Sequence, residues 1–149
     1  MTVADLCARH RRIALDANVL IYVLEDSASF ADVSQALVDA AEGGRISAVL
    51  ASIGLAEICA GPAGRGDLAL VERYADALGS MPGLRIQPLT AQVAVDAAVI
   101  RGIRGIGLAD ATHLASARAS GATAFVTNDR RVRGSARLEV LYLDELSVA

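Results

Sequence analysis

Four carboxylates sit at places where the surrounding apolar pattern tolerates charge badly: Asp16, Glu57, Asp110 and Asp129. Asp16 ends the apolar run Ile13-Ala14-Leu15, with the amide of Asn18 two residues on. Glu57 lies five residues past Ser52, Asp110 follows the Gly105-Ile106-Gly107 turn, and Asp129 follows Phe125-Val126-Thr127-Asn128. If such groups converge, their like charges repel and raise one another's pKa values. A divalent cation relieves that repulsion. All-oxygen ligation suits Mg2+ or Mn2+, and a chain with two histidines and two cysteines offers little for zinc. Ions of this kind polarise a phosphodiester, activate water and stabilise the leaving oxygen. Two plainer readings compete: Asp16 as a helix N-cap, and Asn128-Asp129-Arg130 as an ordinary turn.

The elements between these residues must bring them together. Ile13 to Leu15 reads as a buried strand ending at Asp16, with a helix directly after it. Ile46 to Ala51, Leu84 to Leu89, Thr123 to Thr127 and Leu138 to Leu143 read as four further strands. Ser29-Phe30-Ala31-Asp32 reads as a capping box opening a helix that ends at Gly43-Gly44. Ser52, Asp67 and Thr90 read as caps of three more helices, and a last helix spans about Leu108 to Ser120. Ala60 to Gly66, with three glycines and a proline, reads as a loop. The helix after Thr90 carries two apolar faces, Val93/Ala97/Ile100 and Val95/Val99/Ile103, and is expected to be buried on both. Strands alternating with helices imply parallel pairing and right-handed crossovers. The expectation is one α/β domain over residues 1–149, three layers deep, around a parallel sheet of about five strands. Carboxylates that follow such strands lie along one edge of the sheet, where open α/β sheets gather ligands.

Composition narrows the function. A chain of 149 residues that is 54% hydrophobic and 21% charged can bury its own core and is not disordered. No run approaches the roughly 18 apolar residues of a membrane span, and Ile13 to Leu24 is broken by Asp16 and Asn18. A cytoplasmic protein is expected, with Cys7 and Cys59 unpaired and Cys59 buried as a small hydrophobe. All fourteen basic residues are arginine, which excludes lysine nucleophiles, Schiff bases and phosphate-loop lysines. Aromatics at 3% argue against stacking platforms for single strands. The net charge of −3 conceals a segregation. Arg101 to Arg137 holds seven arginines against Asp110 and Asp129, a local balance of +5, while residues 1–100 hold seven against twelve acids, or −5.

Leu15-Asp16-Ala17-Asn18, Glu57 on its helix, Leu108-Ala109-Asp110-Ala111-Thr112-His113 and Val126-Thr127-Asn128-Asp129 together resemble the four acidic motifs of PIN-domain ribonucleases. Their order and the chain length most resemble VapC-type toxins of type II toxin–antitoxin systems. The resemblance runs from about Ile13 to Leu143, departing where Gly107 precedes Leu108 and many relatives have a capping serine. It implies a Mg2+-dependent endoribonuclease in which Asp16, Glu57, Asp110 and Asp129 hold the metal. Asn18 and Thr127 would orient carboxylates or phosphate. It also implies a cognate antitoxin as partner and a homodimer.

His113, one helical turn past Asp110 on the same face, reads as a partly buried packing residue or as a group that touches substrate or moves a proton. Arg101, Arg104, Arg130, Arg131 and Arg133 flank the acidic edge, where guanidinium forks suit RNA phosphates. Rival classes fit less well. An aspartate-nucleophile phosphatase needs a second Asp at position 18 and a downstream lysine, and a receiver domain needs the lysine too. A non-catalytic binding module on the same fold, and a PIN nuclease acting in RNA processing or on DNA, stay open.

Overall fold

Parallel strands cannot be joined by tight turns, and this chain crosses between them with helices. The computed structural model describes residues 1–27 and 29–149. In chain order the elements are α1 (Val3–Arg9), β1 (Arg12–Leu15), α2 (Ala17–Leu24), α3 (Ala31–Glu42), β2 (Ser47–Ala51), α4 (Ser52–Gly64), α5 (Leu68–Gly79), β3 (Leu84–Gln87), α6 (Ala91–Arg104), α7 (Leu108–Ala119), β4 (Ala124–Thr127) and β5 (Glu139–Tyr142). A 3₁₀ turn, Leu143–Glu145, closes the chain after β5. The five strands form one all-parallel sheet in the order β3-β2-β1-β4-β5, flanked by the helices in the expected α/β arrangement.

Alternation along each strand splits the core in two. Ile13 and Leu15, Ala48 and Leu50, and Ala124 and Val126 join a core completed by residues of α1 to α5. Ala14, Val49 and Phe125 join the other, completed by α6 and α7. From β1 the chain first builds outward through β2 to β3. It then returns to the other side of β1 with β4 and β5. That reversal opens a crevice beyond the carboxyl ends of β1 and β4.

Asp67 and Thr90 cap their helices as the sequence predicts, accepting the backbone N–H groups of Leu70 and Val93. Five expectations are corrected. No side chain caps α3; Phe30 stands at its N-cap position, 5.2 Å from the Tyr22 ring, so apolar anchoring replaces the Ser29 capping box. Ser52 is the first residue of α4 and caps nothing; its hydroxyl accepts the Leu89 N–H at 3.1 Å, tying α4 to the chain leaving β3. The stretch read as a loop at Ala60 to Gly66 continues α4 to Gly64. Pro62 forfeits one ladder bond near the helix end, but it is buried, and its carbonyl accepts from Arg65 and Asp67. Cys59 is half-buried, not enclosed. Finally, α6 buries only Val93, Ala97 and Ile100, leaving Val95, Val99 and Ile103 53–79% exposed. An outer-layer helix has one neighbour layer, so its second apolar face meets solvent. No helix among the described residues is long and apolar enough to cross a membrane.

Candidate active site

Asp16 is held from three directions in the crevice. Its backbone N–H donates to Val126 of β4, and Oδ1 accepts the Ala17 N–H at 2.7 Å, capping α2. Oδ2 accepts the Thr127 hydroxyl at 2.6 Å. Capping and display at the sheet edge are thus one arrangement. Thr127 is fully buried, and its hydroxyl oxygen also accepts the Asp129 N–H at 3.0 Å, so one threonine links two of the acids.

Glu57 reaches the same place from the second turn of α4, and His113 from the interior of α7. The imidazole is 2% exposed, with Nε2 2.6 Å from Glu57 Oε1 and 3.6 Å from Asp16 Oδ1. The Glu57 contact assigns the proton to Nε2; Nδ1 is buried with no partner among the described residues. Burial pushes the imidazole pKa down, but the Glu57 hydrogen bond and the charges of Asp16, Glu57 and Asp110 outweigh it, and the net shift is upward. Asp16, Glu57 and His113 each offer a ligand atom within 4.8 Å of the others, a group able to hold a metal ion. The four acids read from the sequence are not gathered as one such group; His113 stands in it instead.

Asp110, in the first turn of α7, is half-buried. Its carboxyl pKa is raised by burial first, then by the charges of Asp129 and Asp16, against the opposing Arg131 and His113. Asp110 therefore feels both Asp129 and Asp16 across the crevice. Asp129 is also drawn to Arg131: Oδ2 lies 2.7 Å from Nη2, and Oδ1 accepts the Arg131 N–H at 2.9 Å. These bonds hold its pKa low, and the turn reading of Asp129 is true alongside its place at the edge. The Asp110 carboxyl, raised by burial and by the charges of Asp129 and Asp16, together with the buried Oδ1 of Asn18, which has no partner among the described residues, fits a hard divalent cation.

The arginines separate. Arg104, Arg131 and Arg133 line one cleft of about 430 Å3 with Ile106 and Gly134, and Arg104 donates to the Arg133 carbonyl. Arg101 lines a second cleft with Ile106 and Leu108. Arg130 turns elsewhere, forked across Asp144 and Glu145 at 2.6 and 2.9 Å and stacked 4.3 Å over Tyr142. Asn128 does more than turn the chain, donating to the Tyr22 hydroxyl at 3.1 Å. Gly54 escaped the sequence reading altogether. A Cβ there would lie 2.5 Å from Leu50 Cδ1 and 3.0 Å from His113 Cε1, so only glycine lets α4 approach the imidazole. The available signal was a glycine inside an otherwise good helix.

The chain matches the PIN domain over residues 13–138, nearly its whole length and all four acids. It belongs to the PIN domain family. Among solved structures, this PIN chain is similar to FitAcB from Neisseria gonorrhoeae, at 26% identity and a TM-score of 0.70, covering 90% of this chain and 99% of that one. It is similar to a chain of a toxin–antitoxin complex from Klebsiella pneumoniae, at 18% identity and TM-score 0.63, covering 85% and 94%. It is also similar to VapC20 from Mycobacterium tuberculosis, a sarcin–ricin-loop-cleaving toxin, at 17% identity and TM-score 0.60, covering 76% and 86%. No curated protein matches the chain.

Proposed function

We propose that this PIN-domain protein is a Mg2+-dependent endoribonuclease and the toxin of a type II toxin–antitoxin pair. The observation that carries the reading is the gathering of Asp16, Glu57 and His113 at the reversal point of the sheet, with Asp16 and Asp129 close enough to Asp110 to raise its pKa. Asp16, Glu57, Asp110 and Asp129 would hold the ion, directly or through water, with Mn2+ as a substitute. A bound divalent ion supplies Lewis acidity at a phosphodiester and lowers the pKa of an attacking water. The chain's own part is preorganisation. Thr127 fixes Asp16 and the Asp129 backbone together, and His113 fixes Glu57. Arg104, Arg131 and Arg133 line one cleft as donors for RNA phosphates.

The toxin–antitoxin complex among the structural neighbours supports an antitoxin partner, and the open apolar face of α6 supports a homodimer. The deciding experiment treats labelled RNA and DNA pools with purified protein in EDTA, Mg2+ or Mn2+, with Asp16→Asn alongside. RNA cutting that needs metal and vanishes in the variant is the expected result. Cutting that persists in Asp16→Asn, or that prefers DNA, would overturn the assignment.

A further inference from the structure

A second polar cluster lies at the amino-terminal edge of the sheet, where β2, β1 and β4 begin. Arg9, Arg11, Arg12, Ser47, Gly121 and Thr123 line a cleft of about 420 Å3 there, with no acid among them. Arg9 is already compensated, with Nη2 2.9 Å from both oxygens of Glu139, which also bonds His10 Nε2. That contact places the imidazole proton on Nε2, so Nδ1 accepts the Thr123 hydroxyl at 2.8 Å and Thr123 has no proton to spare. Arg11 is exposed and, among the described residues, has neither ion pair nor side-chain hydrogen bond. Arg12 donates one N–H to the Ser120 carbonyl, yet its Nε is buried and finds no acceptor among the described residues.

A guanidinium does not shed its proton, so a buried N–H on it without an acceptor carries the full desolvation cost of a charged donor. Arg11, unpaired among the described residues, and Arg12, whose charge meets only the Ser120 carbonyl, put two uncompensated cations on one cleft, and these call for an anion. We propose that this cleft binds a phosphate group, free or esterified, with Arg11 and Arg12 as its cationic forks and the Ser47 hydroxyl as a neutral donor. Phosphate offers more acceptor oxygens than a carboxylate and can engage both forks. Gly121, at φ +80°, is the glycine its turn requires, and it adds no side chain to the wall. The cleft is separate from the acidic edge. Four residues of extended chain from Arg12 to Asp16 span roughly 13 Å, and the carboxylates there repel an anion.

The test uses the whole chain carrying Asp16→Asn, in EDTA at fixed ionic strength, so that the acidic edge takes no part and no cleavage is read. Inorganic phosphate, adenosine monophosphate and a short RNA lacking terminal phosphates are titrated separately. The readouts are the arginine Nε–Hε resonances and Tm. At least one probe should shift the Arg12 Nε–Hε signal saturably and raise Tm. Adding Arg11→Gln, an exposed change that leaves the core alone, should weaken that binding about tenfold, while Arg73→Gln should leave it unchanged. Saturation by phosphate or the mononucleotide assigns a free phosphate or monoester; saturation by the RNA alone assigns a nucleic-acid backbone. No saturable response to any probe, or equal binding in the Arg11→Gln and Arg73→Gln proteins, would overturn the proposal.

Discussion

Asp16 illustrates how a single side chain serves structure and chemistry through different atoms. Oδ1 caps α2 and Oδ2 meets Thr127. An amide can keep both contacts, since the Thr127 hydroxyl accepts as well as donates. Asp16→Asn is therefore expected to fold as stably as the wild type without metal, and to lose both cleavage and the metal-induced rise in Tm. For the wild type that rise corresponds to about 2.7 kcal/mol at one hundred times the metal Kd. Unfolding of the variant in EDTA would reduce Asp16 to a cap. Asp110 carries the complementary pH signature. Its pKa is raised above 3.8, so the native state binds this proton more tightly than the unfolded chain. Stability without metal then falls as pH rises from 3.8 through the raised value, and the deficit persists at neutral pH. Asp110→Asn should raise Tm at pH 7 in EDTA and show no advantage at pH 3. Thermal unfolding across that range checks it; an equal or lower Tm for the variant at pH 7 would contradict the upward shift that burial and the neighbouring aspartates impose on Asp110.

At the scale of elements, α4 and α7 meet through Gly54 and His113. Alanine is better than glycine in a helix by about 1 kcal/mol, so propensity alone predicts that Gly54→Ala stabilises the protein. The contact distances predict the opposite, a loss of about 1–3 kcal/mol from overpacking Leu50 and His113. Denaturant unfolding decides the sign, and the His113 ring resonances should move with it. The same scale shows what was legible beforehand. Strand positions follow from short apolar runs, and Thr90 and Asp67 are readable as caps because their acceptors bond N–H groups three residues away. Ser52 was misread because its hydroxyl found a donor 37 residues along the chain. Pro62 was misread because local chemistry favours a break, while burial of that turn holds the helix together. Asp16 and Asp129 could be placed at the sheet edge because each follows a strand, β1 and β4, whose carboxyl ends share one edge; Asp110 follows α6 and reaches that edge from the first turn of α7. The role of His113 was not legible, since its partner lies 56 residues away.

For the whole molecule, the exposed face of α6 is the largest departure from a self-contained fold. Val95, Val99 and Ile103 recur every four residues and stand open. A homodimer closing over this face should dissociate at least about tenfold more readily in Val99→Asp, because a charge enters the apolar centre of the contact. Sedimentation equilibrium would show it; a wild-type monomer at high concentration, or an unchanged variant, would remove α6 as the interface. By itself the sequence determined the order of elements, the apolar runs that give β1, β2 and β4 two buried faces, and the arrival of acids at the ends of strands. These depend on residues near one another in the chain. Only the tertiary structure decided that His113 enters the acidic group, that Arg130 pairs with Asp144 and Glu145, and that one face of α6 stays open. Each of those is a competition among groups distant in sequence, and its outcome rests on which partner the packed layers bring within reach.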